Sequence, residues 1–245
     1  YDAASGYKYS HPTIMGFSLS HLSGTGIPDL GDFLFVPGTG EIKSIPGTHE
    51  NPDEGYRSRY SHEKEWASPG YYGVELIDYG VKAEMTSACR SGIFRFTYPA
   101  SDKAFILVDL NHTLWQSCPW SNLRQLNDST IVGYKLVKGW GPERHIYFAA
   151  TFSRKLEHFY ILQDVFQAAK PFIYNTKRFR SHKEAWGEKL MACFTFSTHT
   201  GEEVYVKTAI SGVSTEGALA NINELDGLTF ESVKSRAEEL WEKEL

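Results

Sequence analysis

The residues from Gly16 to Asp32, G F S L S H L S G T G I P D L G D, gather the hydroxyls of Ser18, Ser20, Ser23 and Thr25, the imidazole of His21, and glycines at 24, 26 and 31. Hydroxyls and an imidazole donate and accept hydrogen bonds, and glycine lets the backbone approach a ligand closely. The set suits a polyhydroxylated molecule. It does not suit a phosphate: no Lys or Arg lies in the stretch, and Gly24 x Gly26 lacks the third glycine and the helix of a dinucleotide site. Serine nucleophile chemistry is also poorly served, because Ser20 and His21 are adjacent and no G x S x G elbow occurs. The nine histidines include no i, i+4 pair to suggest a metal site.

Acid-assisted cleavage of a glycoside needs two carboxyl groups, roughly 6.5–9.5 Å apart when the reaction inverts configuration. Asp29 and Asp32 are the local pair. Their setting, I P D L G D, is a turn in which aspartate commonly bonds backbone amides, so they are assigned no catalytic role.

The elements around this loop are strands. Tyr56–Glu65 and Tyr71–Asp78, split by Ser68-Pro69-Gly70, predict a hairpin. Val81–Ala88 and Ile93–Tyr98 alternate as strands, and the apolar run Ala104–Leu110 suits a central strand buried on both faces. Asn111–Asn127 is polar, carries Trp115 and Trp120, and is expected as a loop. Strands resume at Thr130–Lys138, His145–Phe152, Leu156–Leu162, Leu190–Ser197 and Glu203–Ser211. The count predicts an all-β, two-sheet antiparallel sandwich. The basic stretch with Lys170, Lys177, Arg178, Arg180 and Lys183 is expected as a solvated connection.

Ser214–Leu225 predicts a short helix. Thr229 can cap a longer one from Phe230, with Leu228 stapled to Val233 and an apolar stripe of Phe230, Val233, Ala237, Leu240 and Trp241. That stripe fits a linker helix leading to a further domain, or a helix folded back on the sandwich.

At 245 residues and 41% hydrophobic content the chain supports one core. Its net charge of −5 offers no attraction to nucleic acid or anionic lipid, and no run of about 18 apolar residues spans a membrane. Cys89, Cys118 and Cys193 are odd in number and without C x x C spacing, which predicts packed thiols.

Several colinear blocks carry a resemblance: D x x S G Y x Y (Asp2–Tyr9), I x G F S x x H L S G T G (Ile14–Gly26), D L G D (Asp29–Asp32), Y R S R Y S H E (Tyr56–Glu63), A S P G Y Y (Ala67–Tyr72), D Y G V K A E (Asp78–Glu84), G Y K x x x G W (Gly133–Trp140), Y F A A x F S (Tyr147–Ser153) and V K x x I S x V S T E G A (Val206–Ala218). Together they resemble the N-terminal domain of glycoside hydrolase family 92, a family of calcium-dependent, inverting exo-α-mannosidases. The resemblance implies a supersandwich over residues 1–228, a linker helix over 229–245, and an (α/α) toroid catalytic domain beyond this chain. That domain would hold the catalytic acid, the base and the calcium, leaving no catalytic or metal-binding residue here. The role implied for this chain is one wall of a mannose site, built from Tyr1, Ser5, Gly6, Tyr7, His21, Ser23 and Thr25. The implied partners are a mannose-containing glycan and the catalytic domain of the same protein, in a bacterial periplasmic or secreted setting with a part in N-glycan degradation.

Two departures affect linkage preference. Tyr1 stands where many members of the family have Trp, and Leu19-Ser20-His21 replaces His-Thr-His. The same aromatics and hydroxyls would also serve a stand-alone, non-catalytic carbohydrate-binding sandwich, and a purely structural sandwich would use none of them.

Overall fold

The computed structural model describes residues 4–21, 26–163 and 183–245. In chain order the strands are β1 (Thr13–Ile14), β2 (Leu34–Thr39), β3 (Ser58–Arg59), β4 (Glu65–Ser68), β5 (Tyr71–Leu76), β6 (Val81–Ser87), β7 (Ser91–Tyr98) and β8 (Ser101–Asp109). They continue with β9 (Ser117–Asn127), β10 (Thr130–Lys138), β11 (Arg144–Phe152), β12 (Phe159–Gln163), β13 (Glu184–Gly187), β14 (Leu190–Thr198) and β15 (Glu202–Ser211). Helices α1 (Thr215–Ile222) and α2 (Phe230–Glu244) close the chain.

Two antiparallel sheets face each other, as alternation of apolar residues requires: a nine-stranded sheet in the order β13-β9-β10-β11-β15-β7-β6-β5-β4 and a four-stranded sheet in the order β12-β14-β8-β2. β1 and β3 form a small separate ribbon. The core between the sheets is rich in phenylalanine, with Phe35, Phe94, Phe96, Phe148, Phe194 and Phe196 in contact distance of one another or of aliphatic neighbours. β8 is buried on both faces, as its unbroken apolar run predicts. Ala104, Ile106 and Val108 point into this core, and Phe105 and Leu107 point into a second cluster with Leu34, Val36 and Tyr56.

Two sequence expectations are corrected. Asn111–Asn127 is not a loop throughout, because its last eleven residues form β9. An alternating strand whose outer face stays wet carries few apolar residues, so polarity alone concealed it. Most of Tyr56–Glu65 is not the first arm of a hairpin either: only Glu65–Ser68 pairs with β5, and His62–Lys64 is a turn of 3-10 helix. The Ser61 hydroxyl accepts from the Glu63 amide and diverts the backbone there. Of the basic residues singled out in that stretch, Lys170, Lys177, Arg178 and Arg180 lie outside the described residues, and Lys183 is exposed.

The C-terminal helices cover part of the outer face of the large sheet. α1 packs Ala218 and Ile222 onto Val132, Ala149 and Ala209. α2 starts at a reciprocal cap, with Thr229 and Ser232 exchanging side-chain and backbone hydrogen bonds, and buries Phe230 and Val233 against Ile93 and Leu225. The helix therefore folds back on the sandwich over its first half. Leu240 and Trp241, expected in the same stripe, are exposed.

An ion pair beneath α2 fixes this docking. Buried Glu84 accepts from Arg95 Nε at 2.9 Å and from Tyr71 at 2.8 Å, and Arg95 Nη1 reaches Glu231 at 2.6 Å while its guanidinium lies 4.2 Å from the Phe230 ring. Arg95→Ala is expected to cost about 2–3 kcal/mol, measured by urea unfolding, since Glu84 would keep its charge with fewer partners. A loss below about 0.5 kcal/mol would mean that the pair does not hold α2.

Candidate functional site

The loop from Gly16 to Asp32 is held in an unusual backbone shape. Leu30 and Phe33 have φ of 67° and 55°, and Gly26 and Gly31 have φ of 70° and 74°. Left-handed backbone at a non-glycine residue costs roughly 1–2 kcal/mol, so surrounding contacts must hold it. The Phe33 ring supplies one such contact, packed 4.3 Å from Phe148 in the core. Phe17 supplies another, exchanging two backbone hydrogen bonds with Phe35 of β2.

The strongest restraint is Asp32, which is fully buried and ion-paired. Lys135 Nζ, itself without solvent exposure, lies 3.0 Å from Oδ1 and donates to the His112 carbonyl at 2.6 Å. Arg144 donates to both carboxylate oxygens, at 2.7 and 3.2 Å. The Ser20 hydroxyl accepts from the Asp32 amide at 2.8 Å and donates to Oδ2 at 3.3 Å. Burial alone would raise the Asp32 pKa, but Lys135 and Arg144 outweigh it and hold the carboxyl below its ordinary range. Asp32 therefore remains an anion and is not a proton donor. Asp29 is also committed, with Oδ1 accepting from the Leu30 amide at 2.7 Å and from Gln116 Nε2 at 2.5 Å.

Two of the proposed hydroxyls also serve the loop itself. Ser18 donates to the Asp32 carbonyl at 2.6 Å, and Ser20 is buried. His21 is exposed, and it bridges back to Leu30 across the base of the loop. Ser23 and Thr25 lie outside the described residues, as does Tyr1.

Ser5, Gly6 and Tyr7 are exposed, and one side chain joins them to the loop. A Cβ built on Gly6 would meet Leu114 Cδ2 at 3.0 Å, and one built on Gly31 would meet Leu114 Cγ at 2.8 Å. Both glycines thus press on Leu114, whose amide donates to the Leu30 carbonyl at 3.3 Å. Tyr7 gives its hydroxyl to Glu65 Oε2 at 3.3 Å, and burial with the nearby Tyr60 and Glu65 pushes its pKa far above the ordinary phenol value. Its exposed ring is therefore what it can offer a ligand. Glu65 also receives Tyr72 at 2.7 Å and lies 2.5 Å from His62, whose ring stacks on Tyr9 at 3.8 Å.

Sequence reasoning missed Lys135, Arg144, Leu114 and the neighbouring exposed Trp115. A signal for Lys135 was present: it shares the inward register of Ile131, Gly133 and Val137 on β10, and a lysine facing the core demands a buried carboxylate.

A cleft of about 250 Å³ flanks the loop, lined by Leu19, Ser20 and Asp32 on one side and by Arg90, Ser91 and Thr208 on the other. Ligand pockets usually enclose about 300–1,000 Å³, so this cleft is too small to enclose a ligand by itself. Among the described residues no group of three or more His, Cys, Asp or Glu side chains could hold a metal ion, and no helix is long and apolar enough to cross a membrane.

Residues 1–211 match the family model of the glycosyl hydrolase family 92 N-terminal domain. The chain belongs to that family. This family 92 domain is 73% identical to a family 92 alpha-mannosidase from Bacteroides thetaiotaomicron whose structure is known with mannoimidazole bound, with a TM-score of 0.92 over 99% of this chain. It spans 31% of that protein's length. A family 92 inverting mannosidase from B. thetaiotaomicron VPI-5482, at 20% identity and a TM-score of 0.77, covers 98% of this chain and shares its fold; the chain spans 30% of that protein. No curated protein matches the family 92 domain.

Proposed function

We propose that the full-length protein removes terminal, non-reducing α-linked mannose from glycans by an inverting, calcium-dependent reaction, and that this domain supplies one wall of the active site. The observation that carries the reading is the 73% identity to an alpha-mannosidase across nearly the whole chain. The chemistry of the described residues agrees with a binding role. The nearest carboxylates, Asp29 and Asp32, are consumed in holding the loop, while His21, the Tyr7 ring and the Ser5–Gly6 backbone face outward, suited to vicinal hydroxyls and the apolar face of a pyranose.

The catalytic acid and base belong to the remainder of the polypeptide in this reading. The same reading assigns calcium there, as the family resemblance implies. The substrate class suits a periplasmic or secreted enzyme taking part in N-glycan degradation.

The test is the full-length enzyme on α-1,2, α-1,3, α-1,4 and α-1,6 mannobiosides, with and without a calcium chelator. Release of mannose as the β-anomer, lost on chelation, is expected for at least one linkage. His21→Ala should raise KM about tenfold, the loss of one good hydrogen bond to the sugar. No release from any linkage with calcium present would overturn the proposal.

A further inference from the structure

All six tryptophans of the chain, Trp66, Trp115, Trp120, Trp140, Trp186 and Trp241, are exposed. The interior is filled by phenylalanine, tyrosine and aliphatic residues instead. Tryptophan carries the largest apolar surface of any side chain, and several displayed together mark a place where something binds.

Strand register shows where two of them gather. Trp186 on β13 pairs with Asn122 on β9, Asn122 with Tyr134 on β10, and Tyr134 with Tyr147 on β11, so the four form one row across the outer face of the large sheet. The adjacent row holds Trp120, Leu136 and His145. Trp186 is 61% and Trp120 47% exposed. The rings are ordered against one another: Tyr134 and Tyr147 lie 4.9 Å apart, and the Tyr134 hydroxyl sits 2.8 Å from His145 Nδ1. The row on the other side, Val132, Ala149 and Ala209, is the one that α1 covers. Among the described residues, one sheet face is thus covered by α1 at its middle and by α2 beyond, and left bare over β13, β9 and β10.

We propose that this aromatic strip is the docking surface for the rest of the full-length family 92 polypeptide. The inference rests on the reading of this chain as one wall of a site completed elsewhere. Three observations select that occupant. The chain spans 31% of the length of its 73%-identical relative, so most of a protein of that size is available to cover the strip. The strip continues a face that the chain's own C-terminal helices already cover, and α2 itself leaves Leu240 and Trp241 bare. Within the two rows there is no Asp, Glu, Lys or Arg, the depletion that marks the centre of a protein interface, whereas a polar platform for a free glycan has no need of it. The placement is also coherent with the site. β9 begins one residue after Gln116, which is bonded to Pro28 and Asp29 of the loop, so a domain seated on Trp120 stands beside that loop.

Hydroxyl-radical footprinting of the full-length protein tests this, with oxidation at each tryptophan read by peptide mass spectrometry against N-acetyltryptophanamide in the same solution. Trp120 and Trp186 are expected to oxidise at least tenfold more slowly than the free standard. Rates within about threefold of the standard would overturn the proposal. So would rates that are fast in the protein alone and fall only when a mannose oligosaccharide is added, because that pattern identifies a glycan platform. Mannosidase activity in the same preparation reports on the proposed function separately: an active enzyme with a reactive strip refutes the docking surface alone, and a protected strip in an inactive protein refutes the activity alone.

Discussion

Asp32→Ala is expected to destabilise the domain by about 3–5 kcal/mol in urea unfolding, among the largest effects of any single polar substitution in this chain. The buried carboxylate is the common partner of Lys135, Arg144 and Ser20. Its removal leaves the Lys135 ammonium buried, with the His112 carbonyl as its remaining bonded partner. It also releases the Ser20 hydroxyl, which is the hinge between loop and core. The expected consequences are therefore two: loss of stability, and loss of the left-handed turn through Leu30 and Phe33 that presents His21. The paired change Asp32→Leu with Lys135→Met removes both buried charges together and should recover more than half of the lost stability, since replacing a whole buried pair by apolar groups costs little. A loss of less than about 1 kcal/mol for Asp32→Ala would show that the cluster does not brace the loop.

Much of the frame was legible because its signals are local. β10 runs over the predicted Thr130–Lys138, and the double-sided burial of β8 follows from an apolar run without alternation. The Thr229 cap follows from residue types a few positions apart, and Leu228 packs against the cluster that holds Val233. The errors fall where the deciding partner is distant in sequence. β9 is specified by its pairing with β10 and β13 rather than by its own composition. Leu240 and Trp241 have the spacing of a packed stripe but are exposed, so spacing without a partner misleads.

The candidate site divides in the same way. Ser5, Gly6, Tyr7 and His21, expected at the site from residue type together with the family resemblance, are exposed, while Tyr1, Ser23 and Thr25 lie outside the described residues. The hydroxyls of Ser18 and Ser20 looked equally available in the sequence, and only the fold shows them turned inward to Asp32. Long-range pairing decides which of several similar side chains are left for a ligand, and the Asp32–Arg144 contact closes over 112 positions.

Acid should weaken the fold in two successive stages, the upper traceable to His112 and the lower to buried carboxylates held below their ordinary range, Glu84 and Asp32. His112 titrates near 6.5 when unfolded, but burial, reinforced by the nearby Lys135 ammonium, lowers its folded pKa to about 4. Between those values the unfolded chain binds a proton that the folded one refuses. The stability that neutral His112 contributes is thus complete above pH 6.5 and drains away as pH falls to about 4. Glu84 follows over a lower range: burial alone would raise it, but hydrogen bonds from Arg95, Tyr71 and Lys82 outweigh that and hold it at about 2 against an ordinary 4.5. Its contribution is complete above pH 4.5 and is lost as pH falls toward 2. At about 1.4 kcal/mol per pKa unit His112 and Glu84 could each supply about 3 kcal/mol, and with partial solvent access on the order of 2 kcal/mol each, or roughly 4 kcal/mol from these two groups between neutral pH and pH 2. Urea unfolding at steps of half a pH unit measures the profile. His112→Gln should flatten the segment between pH 6.5 and 4 and leave the lower one in place; an unchanged slope in that variant would show that the upper stage belongs to another group.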